Sequence, residues 1–162
     1  PLHLAGLGSP TFNALLAVGA DLDIVYVSGD TPLHVAVSAG LVDTIGALLT
    51  AGANPDACDR DCNTPLHLAV SGRQLDLVDY LLKGGANPDV QNSHGDTPLH
   101  EAVRLNQNRV LRVFGNIQVQ FADSLVKGGA NPCVRNSQGA TPRDTTEVSS
   151  TKKWLTDLST GC

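Results

Sequence analysis

A histidine that recurs once per unit is the residue in this sequence that could most readily do chemistry. His34, His67 and His100 are 33 residues apart, and His3 precedes them in the same local context. Imidazole is the commonest metal ligand and a general base near neutral pH. Residues separated by one whole repeating unit, however, would line up one layer apart, too far to share an ion. The row therefore predicts neither a shared metal site nor a single reaction centre.

The four cysteines follow neither a zinc pattern nor a disulfide framework. Cys58 and Cys62 are four residues apart, while Cys133 and Cys162 lie far along the chain. No second pair or histidine doublet follows at the spacing of a zinc finger. We therefore expect reduced thiols, as in a cytosolic or nuclear protein. A labile bridge between Cys58 and Cys62 is the alternative.

Other candidate chemistry is weaker. Asp56, Asp59 and Asp61 could attract calcium, but their spacing fits no known loop cage. The sequence contains no Ser/His/Asp order, no phosphate-cradling glycine loop and no His-Glu helical motif. The glycine pairs at 84–85 and 128–129 are interpreted as helix ends. We expect no cofactor, no metal and no catalytic activity.

Composition narrows the partner class. Of the 162 residues, 41% are apolar and only 4% aromatic, so a core must be built from Leu, Val and Ala. The net charge of −5 argues against direct nucleic-acid binding, which needs a concentrated basic face. No apolar run approaches the roughly 18 residues that cross a bilayer, and no secretory signal is visible. Because Pro1–Ala5 lacks only the leading Thr of the motif below, we interpret the chain as a segment of a longer protein. We expect it in the cytoplasm, with the nucleus as the alternative.

The elements that position these residues repeat along the chain. The tetrapeptide Thr-Pro-Leu-His begins at Thr31, Thr64 and Thr97, at a constant spacing of 33 residues. A fixed period of this size indicates one supersecondary unit stacked on copies of itself. The expected architecture is therefore an all-α solenoid.

The copy over 64–96 shows the plan of the unit. Thr64 suits a helix N-cap, and Pro65 suits the first helical position. Apolar residues at i, i+3 and i+4 predict a short first helix, and a second apolar stripe predicts another helix that ends at the glycine pair. A polar stretch with Gly95 at a tight turn leads into the next copy. The unit is helix, turn, helix and a projecting hairpin-like loop.

These motifs resemble the ankyrin repeat family. Its Thr-Pro-Leu-His-x-Ala helix start is matched at 31–36, 64–69 and 97–102, and its Leu-Leu-x-x-Gly-Ala helix end at 48–53, 81–86 and, with Val126 for the second Leu, 125–130. The resemblance implies an L-shaped stack whose loops and first helices line a concave groove that binds other proteins. It also assigns the motif histidines a hydrogen-bonding role within the loop scaffold.

The resemblance divides the chain, as a single domain, into about five copies: 1–30, 31–63, 64–96, 97–140 and 141–162. The fourth copy runs 44 residues, 11 more than the others, with the extra residues near 104–118. In the last copy Arg143 and Asp144 replace Leu and His, and we interpret this polar copy as a C-terminal cap.

The insertion admits two interpretations. It carries apolar residues together with Arg104, Arg109 and Arg112 against an acidic background. In one interpretation the apolar side packs on its neighbours while the arginines face water. In the other, the insertion protrudes and contacts an acidic or amphipathic partner.

Candidate partner-binding residues lie beside the loop turns, at the ends of the first helices and in the insertion. They are Tyr26, Val27, Ser28, Asp30, Ser38, Arg60, Asp61, Asn63, Ser71, Ser93, His94, Asp96, Arg104, Leu105, Arg109, Arg112, Ser137 and Gln138. The set is polar and acidic, with one apolar end at 24–27 that either packs on a neighbour or anchors a partner.

The sequence thus predicts a monomeric, non-catalytic protein–protein interaction scaffold that binds a basic and apolar protein or peptide segment. Two rival hypotheses remain. One is a regulatory or substrate-recruiting part of a larger enzyme. The other is an inhibitor of a Rel-type transcription factor, since such arrays also have irregular repeats and an acidic character.

Overall fold

The computed structural model describes residues 21–105 and 117–158, and within those ranges it is helical, with eight helices and no strand. The expected first copy lies mostly outside the described residues, as do Arg109 and Arg112. No helix in the described ranges is long and apolar enough to pass through a bilayer. The helices are α1 Pro32–Ser38, α2 Val42–Thr50, α3 Pro65–Ser71, α4 Leu75–Lys83, α5 Pro98–Arg104, α6 Ile117–Lys127, α7 Pro142–Thr145 and α8 Ser149–Leu158.

The helices form pairs that stack in chain order. Within each pair a short first helix packs on a second: α1 on α2, α3 on α4, α5 on α6 and α7 on α8. Each first helix also packs on the next first helix, from α1 through α3 and α5 to α7. The predicted solenoid of helix-turn-helix units is therefore confirmed.

The first helices all begin in the same way. Thr64 has extended backbone dihedrals, Pro65 follows at the first helical position, and the Thr64 hydroxyl accepts from the His67 amide at 3.5 Å. In return the Thr64 amide donates to His67 Nδ1 at 3.1 Å. Each side chain thus satisfies a backbone donor that the helix leaves free, as in a capping box. The same reciprocal cap forms at Thr31, Thr97 and Thr141.

The other ring nitrogen of each motif histidine reaches the hairpin loop that ends its own copy, immediately before the next helix pair. Nε2 faces a backbone carbonyl oxygen, so it must carry the proton, and Nδ1 is left as the acceptor described above. All three rings are buried. The Nε2 donors lie 2.9 Å from the Asn63 oxygen for His34, 3.0 Å from the Asp96 oxygen for His67 and 3.0 Å from the Ala140 oxygen for His100. The resemblance assigned these rings to the loop scaffold, and the structure shows that each ring joins the start of its first helix to the loop that leads into the next copy.

The core is a repeated set of small and branched aliphatic residues. Every full first helix buries the same Leu, Ala and Val positions, and the second helices add Ile, Leu, Val and one Phe. Small residues let the helix axes approach each other closely, so the core is filled with few aromatic side chains. The first-helix positions are Leu33, Ala36 and Val37; Leu66, Ala69 and Val70; and Leu99, Ala102 and Val103.

Two glycines after the second helices are required by close packing. A Cβ on Gly84 would come within 2.7 Å of Leu49 Cδ1, and one on Gly128 within 2.6 Å of Leu82 Cδ1. Each leucine comes from the second helix of the preceding repeat. The glycine pairs are therefore packing sites as well as helix ends.

A carboxylate ladder also crosses from repeat to repeat. The Oδ1 atoms of Asp56 and Asp89 accept from the amides of Asn87 and Asn131, at 2.8 and 2.7 Å. Asp23 makes the same bond one repeat earlier, to the Asn54 amide at 2.9 Å. These bonds to charged acceptors add to the coupling between neighbouring units.

The ladder position in the next copy is Cys133, and here one prediction is corrected. Cys58 and Cys62 have free thiols, as expected, but Cys133 is disulfide-bonded. Its amide still bonds to Asn131 Oδ1 at 2.9 Å, as the ladder aspartates do. A thiol cannot replace the carboxylate acceptor of the ladder, so the side chain is available for a covalent bond.

The last repeat differs at the position of the motif histidine. Asp144 Oδ2 accepts from the Thr141 amide at 2.9 Å and from its hydroxyl at 2.7 Å, so it reproduces the cap. A carboxylate has no proton to donate onward, unlike His Nε2. The first helix α7 is also cut to four residues. Asp144 therefore completes the helix cap of its own repeat. It lacks the N–H donor with which the motif histidines of earlier repeats bind the next hairpin.

Around the insertion, α5 keeps the seven-residue length of α1 and α3, whereas α6 has eleven residues against nine in α2 and α4. The buried Gln118 at the start of α6 donates to the Leu105 carbonyl oxygen and accepts from Thr151 of α8 at 3.3 Å. The described end of the insertion is thus tied to the helices on either side.

We predict that His67→Ala lowers the free energy of unfolding by about 3 kcal/mol, since it removes bonds at both ring nitrogens and leaves a buried cavity. Urea denaturation measures the change. His94→Ala is the control, because His94 is exposed on a loop, and we expect it to change stability by less than about 0.5 kcal/mol. Equal effects of the two substitutions would contradict the role given to the His67 ring.

Candidate functional site

In the described part of the chain, a hairpin tip precedes each of the four helix pairs, at 26–30, 59–63, 92–96 and 136–140. In each tip the first residue's amide donates to the carbonyl of the fifth, and the fourth residue's amide donates back to the first. These bonds measure 2.8–3.0 Å and 2.8–3.1 Å across the four tips. The repeat therefore builds four equivalent tips one layer apart, as the sequence predicted.

Three tips are braced by their first side chain. Asn92 Oδ1 accepts from the amides of His94 and Asp96, at 3.0 and 3.1 Å. Asp59 Oδ1 and Asn136 Oδ1 make the same pair of bonds in their own tips. An Asx side chain that satisfies two amides stabilises a tight turn. In the first tip the corresponding residue is Tyr26, so that brace is missing.

Neighbouring tips are joined edge to edge. The Ser93 amide donates to the Asp61 carbonyl oxygen at 2.8 Å, and the Ser137 amide donates to the His94 carbonyl oxygen at 3.1 Å. Arg60 reaches back to the Val27 carbonyl oxygen. The tips therefore form a continuous row, and we call the row together with the C-terminal ends of α1, α3 and α5 the tip groove.

The predicted residues that the structure describes fall at three levels of exposure. Asp96 is buried, and Arg109 and Arg112 lie outside the described residues. Half-buried positions are Tyr26, Asp30, Asn63, Arg104 and Leu105. Exposed positions are Val27, Ser28, Ser38, Arg60, Asp61, Ser71, Ser93, His94, Ser137 and Gln138.

A cavity of about 560 Å³ lies at the junction of the third and fourth tips. Six of the predicted residues line it, together with four others. Its lining is mostly polar, so it suits hydrogen-bonding groups more than an apolar anchor. The ten residues are Ser93, His94, Asp96, Arg104, Asn136, Ser137, Gln138, Ala140, Asp144 and Thr145.

Asp96 and Arg104 form an ion pair on the wall of this cavity. The two terminal guanidinium nitrogens of Arg104 donate to the Asp96 carboxylate, at 2.5 and 2.9 Å. Asn136 Nδ2 also donates to Asp96 Oδ1, at 2.8 Å. Burial works to raise the pKa of Asp96, but the hydrogen bonds from Arg104 and Asn136 outweigh it and hold that pKa below its ordinary value. The charge of Asp96 is thus compensated inside the protein, whereas the Arg104 side chain remains 38% exposed.

Glu101 is a groove residue that the sequence reasoning missed. Its Oε1 accepts from Asn92 Nδ2 at 3.3 Å, while its Oε2 is buried without a hydrogen-bond partner. Burial, with the nearby Asp96 charge adding to it, raises the pKa of Glu101 to about 7. A signal was available, because the residue after the motif histidine is apolar in the two preceding copies, Val35 and Leu68.

The arrangement offers contact surface more than chemistry. Among the described residues no group of three His, Cys, Asp or Glu side chains could hold a metal ion. The Asp56 and Asp59 carboxylates, considered for calcium, already accept backbone amides. Burial lowers the pKa of His67 and His100, which favours neutral rings locked in their scaffold bonds. The polar groups are spread along a row instead of converging on one reacting atom.

Comparison with known proteins gives one finding of similarity. The sequence model of a family described as ankyrin repeats, in three copies, matches residues 2–92 and 47–136. The two overlapping matches together reach most of the chain. No curated protein matches the sequence.

We predict opposite pH dependences from the buried histidines and from Glu101. The pKa of His67 and His100 lies below the ordinary 6.5, so their contribution to stability is full above that pH and is lost as pH falls. Glu101 has a raised pKa, so its contribution is full below 4.5 and is lost as pH rises through about 7.

Glu101→Gln should therefore raise the free energy of unfolding at pH 8 by roughly 1 to 3 kcal/mol. The reason is that it removes a carboxylate charge whose Oε2 is buried without a hydrogen-bond partner. The gain should vanish near pH 4.5. Urea midpoints at several pH values measure it, with the exposed Glu147→Gln as control. An equal gain at both ends of the pH range would contradict the assignment.

Proposed function

Since the chain belongs to the ankyrin repeat family, we propose that its tip groove is a non-catalytic docking surface for a segment of another protein. Ankyrin repeats generally mediate protein–protein interaction, and the family is typically a non-catalytic interaction module. That general role is the premise. The groove, the chemistry of the partner and the residues that contact it are the proposal.

The proposal rests on one observation: within each tip, the backbone makes the structural bonds while two side chains face outward. Backbone and Asx groups of the tips bond inward and to neighbouring tips, which fixes the row. The side chains at the second and third tip positions remain exposed. These are Val27 and Ser28, Arg60 and Asp61, Ser93 and His94, and Ser137 and Gln138. A rigid row of exposed side chains is pre-organised for a partner and loses little conformational freedom on binding.

The charge of the groove favours a basic segment. Asp30 and Asp61 stand near the groove surface in the first two tips. At the other end the buried Asp96 is neutralised by Arg104. A partner that presents lysine or arginine to the first two tips would therefore meet two carboxylates, which outnumber the Arg60 cation there and also steer its approach.

The apolar end of the groove favours an apolar residue beside that cation. Val27 is 91% exposed and Val25 is 60% exposed, although both are branched aliphatic side chains. Aliphatic groups left in water become favourable contacts when a partner covers them. The proposed ligand is thus an extended or helical segment with basic and apolar residues in succession.

Selection from a random peptide display library tests the ligand class. We expect the protein to enrich peptides with adjacent basic and apolar residues. Asp30→Lys combined with Asp61→Lys should weaken binding of such a peptide at least about tenfold, since each change replaces attraction by repulsion. Fluorescence anisotropy with the selected peptide measures the affinity.

The matched control is Glu147→Lys combined with Asp157→Lys, which changes the net charge equally in the last repeat, where both side chains are exposed. We expect this pair to leave the affinity within about threefold, because screened charges outside the contact act weakly. Equal losses in the two double variants would refute a groove-based interaction, and so would selected peptides without basic residues.

The insertion supplies a second, separate test. Arg109 and Arg112 remain candidates for contacting an acidic or amphipathic partner surface. Charge reversal of both should weaken binding of a protein partner without moving the melting temperature. Unchanged affinity would refute contact between these arginines and the partner and would favour the interpretation in which the insertion packs on its neighbours.

A further inference from the structure

The second hairpin tip carries a pair of thiols that no other described tip has. Cys58 immediately precedes the tip 59–63, and Cys62 is its fourth residue. Both thiols are free and exposed, and Cys62 is near enough to Cys58 to help raise the pKa of the Cys58 thiol. Two accessible sulfur atoms therefore lie near each other within one small loop.

The backbone of the turn brings the two cysteines near each other. The Asp59 amide donates to the Asn63 carbonyl oxygen at 3.0 Å, and the Cys62 amide donates to the Asp59 carbonyl oxygen at 3.1 Å. The chain reverses between them and brings the residues before and within the turn side by side. This backbone is also fixed from outside, since His34 binds the Asn63 carbonyl and the Ser93 amide binds that of Asp61.

Cys62 occupies a position that the backbone geometry assigns to glycine. Its φ is +55°, in the left-handed region, and the other three tips have Gly29, Gly95 and Gly139 there, with φ of +94°, +72° and +75°. A side chain in that region costs roughly 1 to 2 kcal/mol. Backbone stability alone would select glycine, so the thiol at this position has a cost that the other tips avoid.

We propose that Cys58 and Cys62 form a reversible disulfide across the second tip, by exchange with a low-molecular-weight disulfide. In the first step the Cys62 thiolate attacks one sulfur of that disulfide and releases one small thiol. In the second step Cys58 gives up its proton to solvent, and the resulting thiolate attacks the Cys62 sulfur of the mixed disulfide and releases the other. Two protein thiols are oxidised, and the small disulfide is reduced to two thiols, which take both electrons and both protons.

The order of the two steps follows from the surroundings. Burial, the hydrogen bond with Cys62 and the charges of Asp59 and Asp56 raise the pKa of Cys58 to about 11. Cys58 therefore keeps its proton at neutral pH, and Cys62 makes the first attack. Because the surrounding carboxylates repel anions, a cationic disulfide should react faster than an anionic one. Cystamine and glutathione disulfide are suitable probes of each kind.

The bridge should form within the folded protein and stabilise it. The thiols lie in one tight turn whose backbone is already fixed, so we expect closing the bond to ask for little backbone movement. The effective concentration of the two thiols can differ between the folded and the unfolded chain. By thermodynamic linkage, the bridge raises the folding equilibrium constant by a factor equal to the ratio of these two concentrations. We expect that factor to be at least about tenfold, and we expect the Ser93 amide to keep its protection from hydrogen exchange.

The experiment equilibrates the whole chain with cystamine and cysteamine mixtures, in native buffer and in concentrated urea. Peptide mass mapping then quantifies the Cys58–Cys62 bridge separately from the disulfide of Cys133. The expected result is an effective thiol concentration at least tenfold higher in the native chain than in urea, with faster reaction from cystamine than from glutathione disulfide.

Two variants control for each sulfur. Cys62→Gly restores the glycine of the other tips, so it should fold at least as stably as the parent and stop at a mixed disulfide on Cys58. Cys58→Ser should stop at a mixed disulfide on Cys62. An effective concentration no higher in the native chain than in urea would overturn the proposal. So would mixed disulfides alone, or Cys62 bridges between two chains, in the unmodified protein.

Discussion

The whole architecture depends on the two hydrogen bonds that the ring of each motif histidine makes. Its ring accepts from the threonine that starts its own helix and donates to a carbonyl oxygen in the next tip. A single buried side chain thus fixes a helix start and the position of the following loop together. Because the ring must be neutral and in one tautomer to do both, the groove is held by groups that respond to acid.

Coupling between units is distributed over several kinds of contact at each boundary. The histidine bond lies beneath the tips, the aspartate ladder runs along the other loops, and leucine side chains close over glycines at the ends of the second helices. Each acts within one repeat or between adjacent repeats, so stability is set by neighbours in sequence order. The tips are consequently rigid at their bases, while their outward side chains are free to vary without affecting the fold.

The sequence allowed the repeats, the helix starts and the turn positions to be predicted, because each rests on residues close together in the chain. Thr64, Pro65 and His67 lie within one turn, and Cys62 could be identified as the odd residue at a glycine position. The ladder and the ion pair of Asp96 with Arg104 were not predicted, since they join residues that only packing brings together. Glu101 was missed because its surroundings, which include Asn92 of the preceding loop, form only when the helix packs against that loop. The disulfide of Cys133 was missed because no local sequence pattern indicates it.

The replacement of histidine by Asp144 has a consequence for how copies of the protein meet. Each motif histidine donates to the tip that follows its own helix pair, whereas the carboxylate of Asp144 can only accept. A unit that stacked after this repeat, from the same chain or from a second molecule, would therefore lack that bond. Its junction should be weaker than the junctions between the earlier repeats.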